Sequence, residues 1–249
     1  MYLKLSYFFI EKVMKVIKCL LLSLKEIFIV LFIQYFILII SIILFNGYEN
    51  IYIGNILLSI FSIIYILSKK NIINVSFNIR NNYFIYIMLG SSISIIYNMI
   101  LYRFHLYTYD TNNTFLFLDI LTSGIIGPIF EEVVFRVSFI PKVECFIYNK
   151  EKVIIITSII FAILHFNFLS GFIAFIIGII NGYIYIKTRD IIKISLVHIS
   201  LNTISSLITS YNIVIFILGI ILMIVAVLCL RKEVFVKEYF WLLFSLLLY

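Results

Sequence analysis

The stretch GPIFEEVVFR, residues 127–136, sets Glu131, Glu132 and Arg136 into a run of otherwise apolar residues. Further on, FAILH ends at His165 and HISLN joins His198 to Asn202. Carboxylates and imidazoles are the groups that move protons in general acid–base catalysis, and a carboxamide is a hydrogen-bond donor. Two His and one carboxylate also form a known catalytic zinc set. Each charge near a bilayer centre costs about 2.5–3.5 kcal/mol on insertion scales. Three such groups within six residues therefore need pairing or a function. For one isolated pair, a structural ion pair between helices would be an equal alternative. Helix geometry separates the two acids: Glu132 and Arg136 are four residues apart on one face, in the favourable order for pairing. Glu131 lies about 140° round the helix from Arg136 at 100° per residue. One carboxylate is braced and its neighbour is available. Phe161 and His165 share helical spacing, as do His198 and Asn202. A lone His in an apolar helix is usually a packed or hydrogen-bonded residue, but two of them with an Asn and an uncommitted Glu indicate a site.

The elements that must carry these residues are membrane helices. Of 249 residues, 64% are hydrophobic and 12% charged, far from the composition of a soluble domain. Apolar runs of about 18 residues or more mark spans, expected near 27–46, 51–68, 83–102, 115–140, 153–169, 171–186, 192–210 and 212–230. The expected fold is therefore all-α, a polytopic membrane protein of about eight transmembrane helices plus an N-terminal amphipathic surface helix over 1–25. It forms a single integral membrane domain over 1–249. The tail YFWLLFSLLLY is too short to span. Seventeen of the nineteen Lys and Arg fall on one side of this map, which places both termini in the cytosol. The net charge of +7 is thus accounted for without nucleic acid. No removable signal peptide is evident, and Cys19, Cys145 and Cys229 read as isolated thiols. Gly127-Pro128 predicts a break, with a half-helix starting near Pro128 and its positive end close to the glutamates. Counting 1.5 Å per residue from the cytoplasmic ends puts Glu131 about 14 Å deep, His165 about 18 Å, His198 about 9 Å and Asn202 about 15 Å. The spacing thus predicts one layer. Gly178 and Gly182 form a G-x-x-x-G packing face, with Asn181 beside it as an interhelical hydrogen-bonding residue.

EEVVFR, FAILH and HISLN follow one another as EExxxR, FxxxH and HxxxN. This ordered triplet, over about residues 115–210, resembles the CAAX protease and bacteriocin-processing (CPBP, or Abi) family of intramembrane glutamic endopeptidases, which includes the type II CAAX prenyl proteases. Val137 stands where many members carry glycine. The resemblance implies that Glu131 activates water with His165 beside it, that His198 and Asn202 stabilise the oxyanion, and that Glu132 and Arg136, with Phe161, support the site. It implies a glutamate mechanism that needs no metal, with a zinc-dependent protease using the same Glu/His set as the alternative. No H-E-x-x-H is present to favour zinc. Another alternative is a non-catalytic bacteriocin-immunity protein. The expected partners are a peptide or protein substrate, lipidated or not, and membrane lipid. The expected setting is a bacterial plasma membrane, from a composition typical of an AT-rich genome.

Overall fold

The computed structural model describes residues 2–44, 49–73, 82–106 and 116–233; the apolar tail lies outside them. These residues are all-helical, with no strand among them. The elements are α1 (Tyr2–Leu44), α2 (Glu49–Ser68), α3 (Phe84–Arg103), α4 (116–144), α5 (Lys150–Ile163), α6 (Phe168–Thr188), α7 (Ile191–Leu207) and α8 (Ile213–Glu233). Among the described residues, four segments are long and apolar enough to cross a membrane: Leu24–Leu44, Phe84–Arg103, Phe168–Thr188 and Ile213–Arg231. Ile53–Ser68 and Ile191–Leu207 are shorter apolar helices.

Two boundaries differ from the sequence expectation. The 1–25 segment and the first span are one helix, because neither glycine nor proline interrupts the chain before Gly47. Helix α5 stops at Ile163 rather than running to 169. His165 lies in the turn beyond it, where Phe166 has a positive φ of 51°. Start signals are local: Asn149, Asn167 and Asp190 each accept a backbone N–H from the first turn of α5, α6 and α7 respectively.

Helix α4 is not broken at Pro128. It alternates α-helical stretches (Leu116–Asp119, Gly127–Glu132, Ile140–Glu144) with π-helical ones (Ile120–Ile126, Val133–Phe139). Backbone dihedrals stay helical at the junctions, and Gly127 N–H reaches back five residues to Thr122 O. The widened turn accommodates the proline within a continuous helix. No free helix start forms there, so the expected positive end beside the glutamates is absent. The other proline, Pro141, likewise follows a π stretch, after Ile140 N–H bonds to Phe135 O.

Contacts divide the chain into two compact units. The first comprises Met1–Ile73 and Phe130–Tyr183. In it α1 packs on α2, where Gly54 lies against Leu38 and Ser41. Phe61 and Tyr65 of α2 set their rings edge-on to Phe130, with centroids 5.9 and 5.3 Å apart. The Glu26 carboxylate accepts hydrogen bonds from Lys69 and Lys142 and from Tyr65 Oη, joining α1 to α2 and α4. Gly178 and Gly182 of α6 face Ser158 and Ile154 of α5, as the G-x-x-x-G spacing predicts. The second unit comprises Asn74–Ile129 and Ile184–Tyr249, and in it α3 packs against α7 and α8. Asn98 Nδ2 donates to Ser205 Oγ at 3.1 Å and Tyr102 Oη to Ile208 O at 3.1 Å. Gly90 permits the approach of α3 to α7, for a Cβ there would lie 2.0 Å from the carbonyl oxygen of Val197.

That contact yields a comparison. A Cβ at Gly182 meets only the Ile154 side chain, with Cγ2 at 3.2 Å, which needs to give by a few tenths of an ångström, whereas the Val197 backbone at Gly90 would have to move much further. Gly90→Ala should cost about 1–3 kcal/mol, the range for overpacking. Gly182→Ala should cost much less, read as the difference in thermal unfolding of the two variants in detergent.

Candidate active site

Glu131 and His165 line one cavity of about 150 Å³ inside the first unit. Three helices build it. Helix α1 contributes Ile27, Val30, Leu31 and Gln34, the i, i+3, i+4, i+7 stripe of one helical face. Helix α4 contributes Phe130, Glu131, Val134 and Phe135, and the end of α5 contributes Phe161, Leu164 and His165. By volume this is room for a few water molecules or a short piece of chain. Its walls are apolar except for three side chains: Glu131, His165 and Gln34.

The imidazole is held in a defined state. His165 Nδ1 lies 2.9 Å from the Phe161 carbonyl oxygen. A carbonyl can only accept, so Nδ1 carries the proton, and a neutral ring keeps its lone pair at Nε2. The Phe161 carbonyl lies in the last turn of α5, where the His165 N–H turns to Ala162 O instead. The Phe161 ring stands edge-on to His165 with centroids 4.8 Å apart. It also packs against Phe135, at 4.8 Å between centroids, and carries the Arg136 guanidinium 4.8 Å from its centre.

Arg136 and Glu132 are both fully buried, with Arg136 Nε 3.3 Å from Glu132 Oε2. The other oxygen, Glu132 Oε1, accepts a hydrogen bond from Asn181 Nδ2 of α6 at 3.0 Å. The two adjacent acids therefore have different surroundings. Glu132 is bound to a cation and an amide in a dry interior, while Glu131 is half-buried on the cavity wall.

His198 and Asn202 belong to the second unit, one turn apart on α7. His198 is buried and Asn202 half-buried. Asn202 Nδ2 donates to Ser123 O at 3.0 Å. In the π register Ser123 is the residue whose carbonyl Pro128 would have bonded, five positions on. Proline has no N–H, and the Asn202 amide supplies the missing donor. An amide nitrogen carries two hydrogens, and Ser123 takes one. On α4 nearby, Gly124 faces Thr203 of α7.

Among the described residues, no three of His, Cys, Asp and Glu are grouped closely enough to hold a metal ion. The cavity offers one imidazole and one carboxylate. Gln34 is a cavity residue that motif reading passes over, although a signal existed: it is the only glutamine of the chain, in a helix otherwise apolar around it.

Comparison with known proteins bears on the same residues. Residues 113–204 match the family model of Rce1-like proteins, described as type II CAAX prenyl endopeptidase Rce1-like. This is consistent with the CPBP/CAAX protease family. The matched stretch takes in all three motifs and less than half of the chain, and the family implies a hydrolase. With its apolar helices, it points to an integral membrane protein. No curated protein and no solved structure matches significantly.

The ion pair gives a stability test. Glu132→Ala strands a buried guanidinium and should cost about 3–5 kcal/mol. Replacing both partners, as in Glu132→Leu with Arg136→Met, should regain most of that loss, because an apolar pair carries no desolvation cost. Unfolding midpoints of the two variants in one detergent provide the check.

Proposed function

We propose that this protein is an intramembrane endopeptidase that hydrolyses a peptide bond with a water activated by Glu131. The observation that carries the reading is the pairing of Glu131 with His165 on one cavity, with His165 Nδ1 already committed to the Phe161 carbonyl. A water between them gives one hydrogen to the Glu131 carboxylate and is oriented by the His165 Nε2 lone pair. As Glu131 takes the proton, the oxygen adds to the substrate carbonyl carbon and the carbonyl oxygen becomes an oxyanion. When the C–N bond breaks, Glu131 returns the proton to the leaving amine, and a carboxylic acid and an amine remain. The roles of oxyanion donors fall to the His198 ring and to the second amide hydrogen of Asn202, from their place in the family motif.

The substrate in this reading is a membrane-anchored or apolar peptide precursor, bacteriocin-like or lipidated, entering from the cytosolic leaflet. The distribution of Lys and Arg along the sequence supports a cytosolic position for both termini. The clasp of Glu26, near the start of the apolar span Leu24–Leu44, with Lys69 and Lys142 at the ends of α2 and α4 supports a common aqueous face for these helices. The same reading puts the protein in a bacterial plasma membrane.

The experiment is a comparison of peptides from membranes of cells carrying the wild-type protein, Glu131→Gln or His165→Ala. Losing the general base should lower cleavage by about 10²–10⁴-fold, with unfolding midpoints unchanged. Peptides cut equally well by Glu131→Gln would eliminate the assignment. A chelator should leave the activity of the purified protein intact; stoichiometric zinc with chelator-sensitive cleavage would establish the metal-dependent alternative instead.

A further inference from the structure

Helix α1 lies outside the stretch matched to the family, yet it forms one wall of the cavity. Its contribution is the stripe Ile27, Val30, Leu31 and Gln34, and only the last is polar. Tyr35 packs edge-on against Phe166, the residue after His165, with ring centroids 6.1 Å apart. That contact fixes α1 against the turn that carries the imidazole. A carboxamide in an apolar span is costly unless it has a partner. Among the described residues, no side chain or backbone group supplies one to Gln34.

We propose that Gln34 is a substrate-binding residue that anchors the backbone of the bound peptide beside the scissile bond. The inference rests on the endopeptidase reading above. Its chemistry is that of like meeting like: a side-chain amide and a peptide group each offer one C=O and at least one N–H. Gln34 Nε2 donates to a substrate carbonyl, and Gln34 Oε1 accepts a substrate N–H. Helical peptide spends those groups on itself, so the ligand class is an extended segment, unwound where it enters the cavity. In such an apolar enclosure an unmatched peptide group is strongly disfavoured, so one anchoring amide selects for extended chain.

The test uses a peptide found to be cut by the wild-type protein and not by Glu131→Gln, resynthesised as a series with a single backbone N-methyl group at each residue in turn. The variants are Gln34→Leu and the near-isosteric Gln34→Met, neither of which adds a polar group to the span. Both should unfold at the wild-type temperature and raise KM for the unmethylated peptide by about tenfold, the effect of one unmatched polar group. In the series, N-methylation at one position should weaken the wild-type reaction by about tenfold and leave both variants unaffected. A purely structural Gln34 would not move that position-specific signature. Equal kinetics for wild type and both variants, or no position with the crossed effect, would overturn the anchor and leave the endopeptidase reading intact. Identical peptide sets from wild type and Glu131→Gln would overturn both together.

Discussion

The ion pair between Glu132 and Arg136 lies where neither partner touches solvent, and much of the first unit is arranged around that fact. A lone charge in such a place would expel itself by unfolding or by neutralisation, so the two must stay together. Both lie on α4, so its rotation is set by what meets them from other helices, Asn181 of α6 and the Phe161 ring of α5. Glu132 then faces Arg136 and Asn181, and its neighbour Glu131 is turned to the cavity. The guanidinium sits on the Phe161 ring, and the Phe161 carbonyl sets the tautomer of His165. A single chain of contacts thus runs from a buried charge to the tautomer of an imidazole.

The prolines show how the backbone tolerates this. An interior proline ordinarily removes a hydrogen bond and collides with the carbonyl four residues back. Both prolines of the chain follow π-helical stretches, in which bonds reach back five residues. The helix stays continuous, and the remaining cost is one carbonyl without a donor. At Pro128 that carbonyl is Ser123 O, and Asn202 meets it from another helix of its unit. Asn202 is consequently a packing residue whatever else it does, which ties α7 to α4 within the second unit.

Much of this was legible before any coordinates. Long apolar runs mark the helices, and i,i+4 spacing finds Glu132 with Arg136 and Phe161 with His165, because those relations are local. Less legible were features that depend on what an element packs against. The π stretches follow no simple residue code, so the proline was expected to break the helix and expose a positive end. Helix α5 looked long enough to hold His165 because apolar residues continue past Ile163 in the sequence. Gln34 belongs to no motif and bears no charge; only the fold shows that its stripe faces the same space as Glu131.

Placing two carboxylates side by side in the sequence solves a problem that distance would not. Adjacent residues on a helix point in different directions, so one backbone position can serve two environments. Glu132, buried and bonded to Asn181 of α6, secures the helix while Glu131 lines the cavity. The groups proposed for bond breaking need fixed geometry, and they come from the stretch matched to the family. The facing wall would have a different task in that reading, to fit what enters. It comes from α1, outside that stretch, joined to α2 and α4 through Glu26 and to the His165 turn through Tyr35. In the proposed reading chemistry and selectivity are carried by different helices, and the α1 wall includes neither member of the buried ion pair.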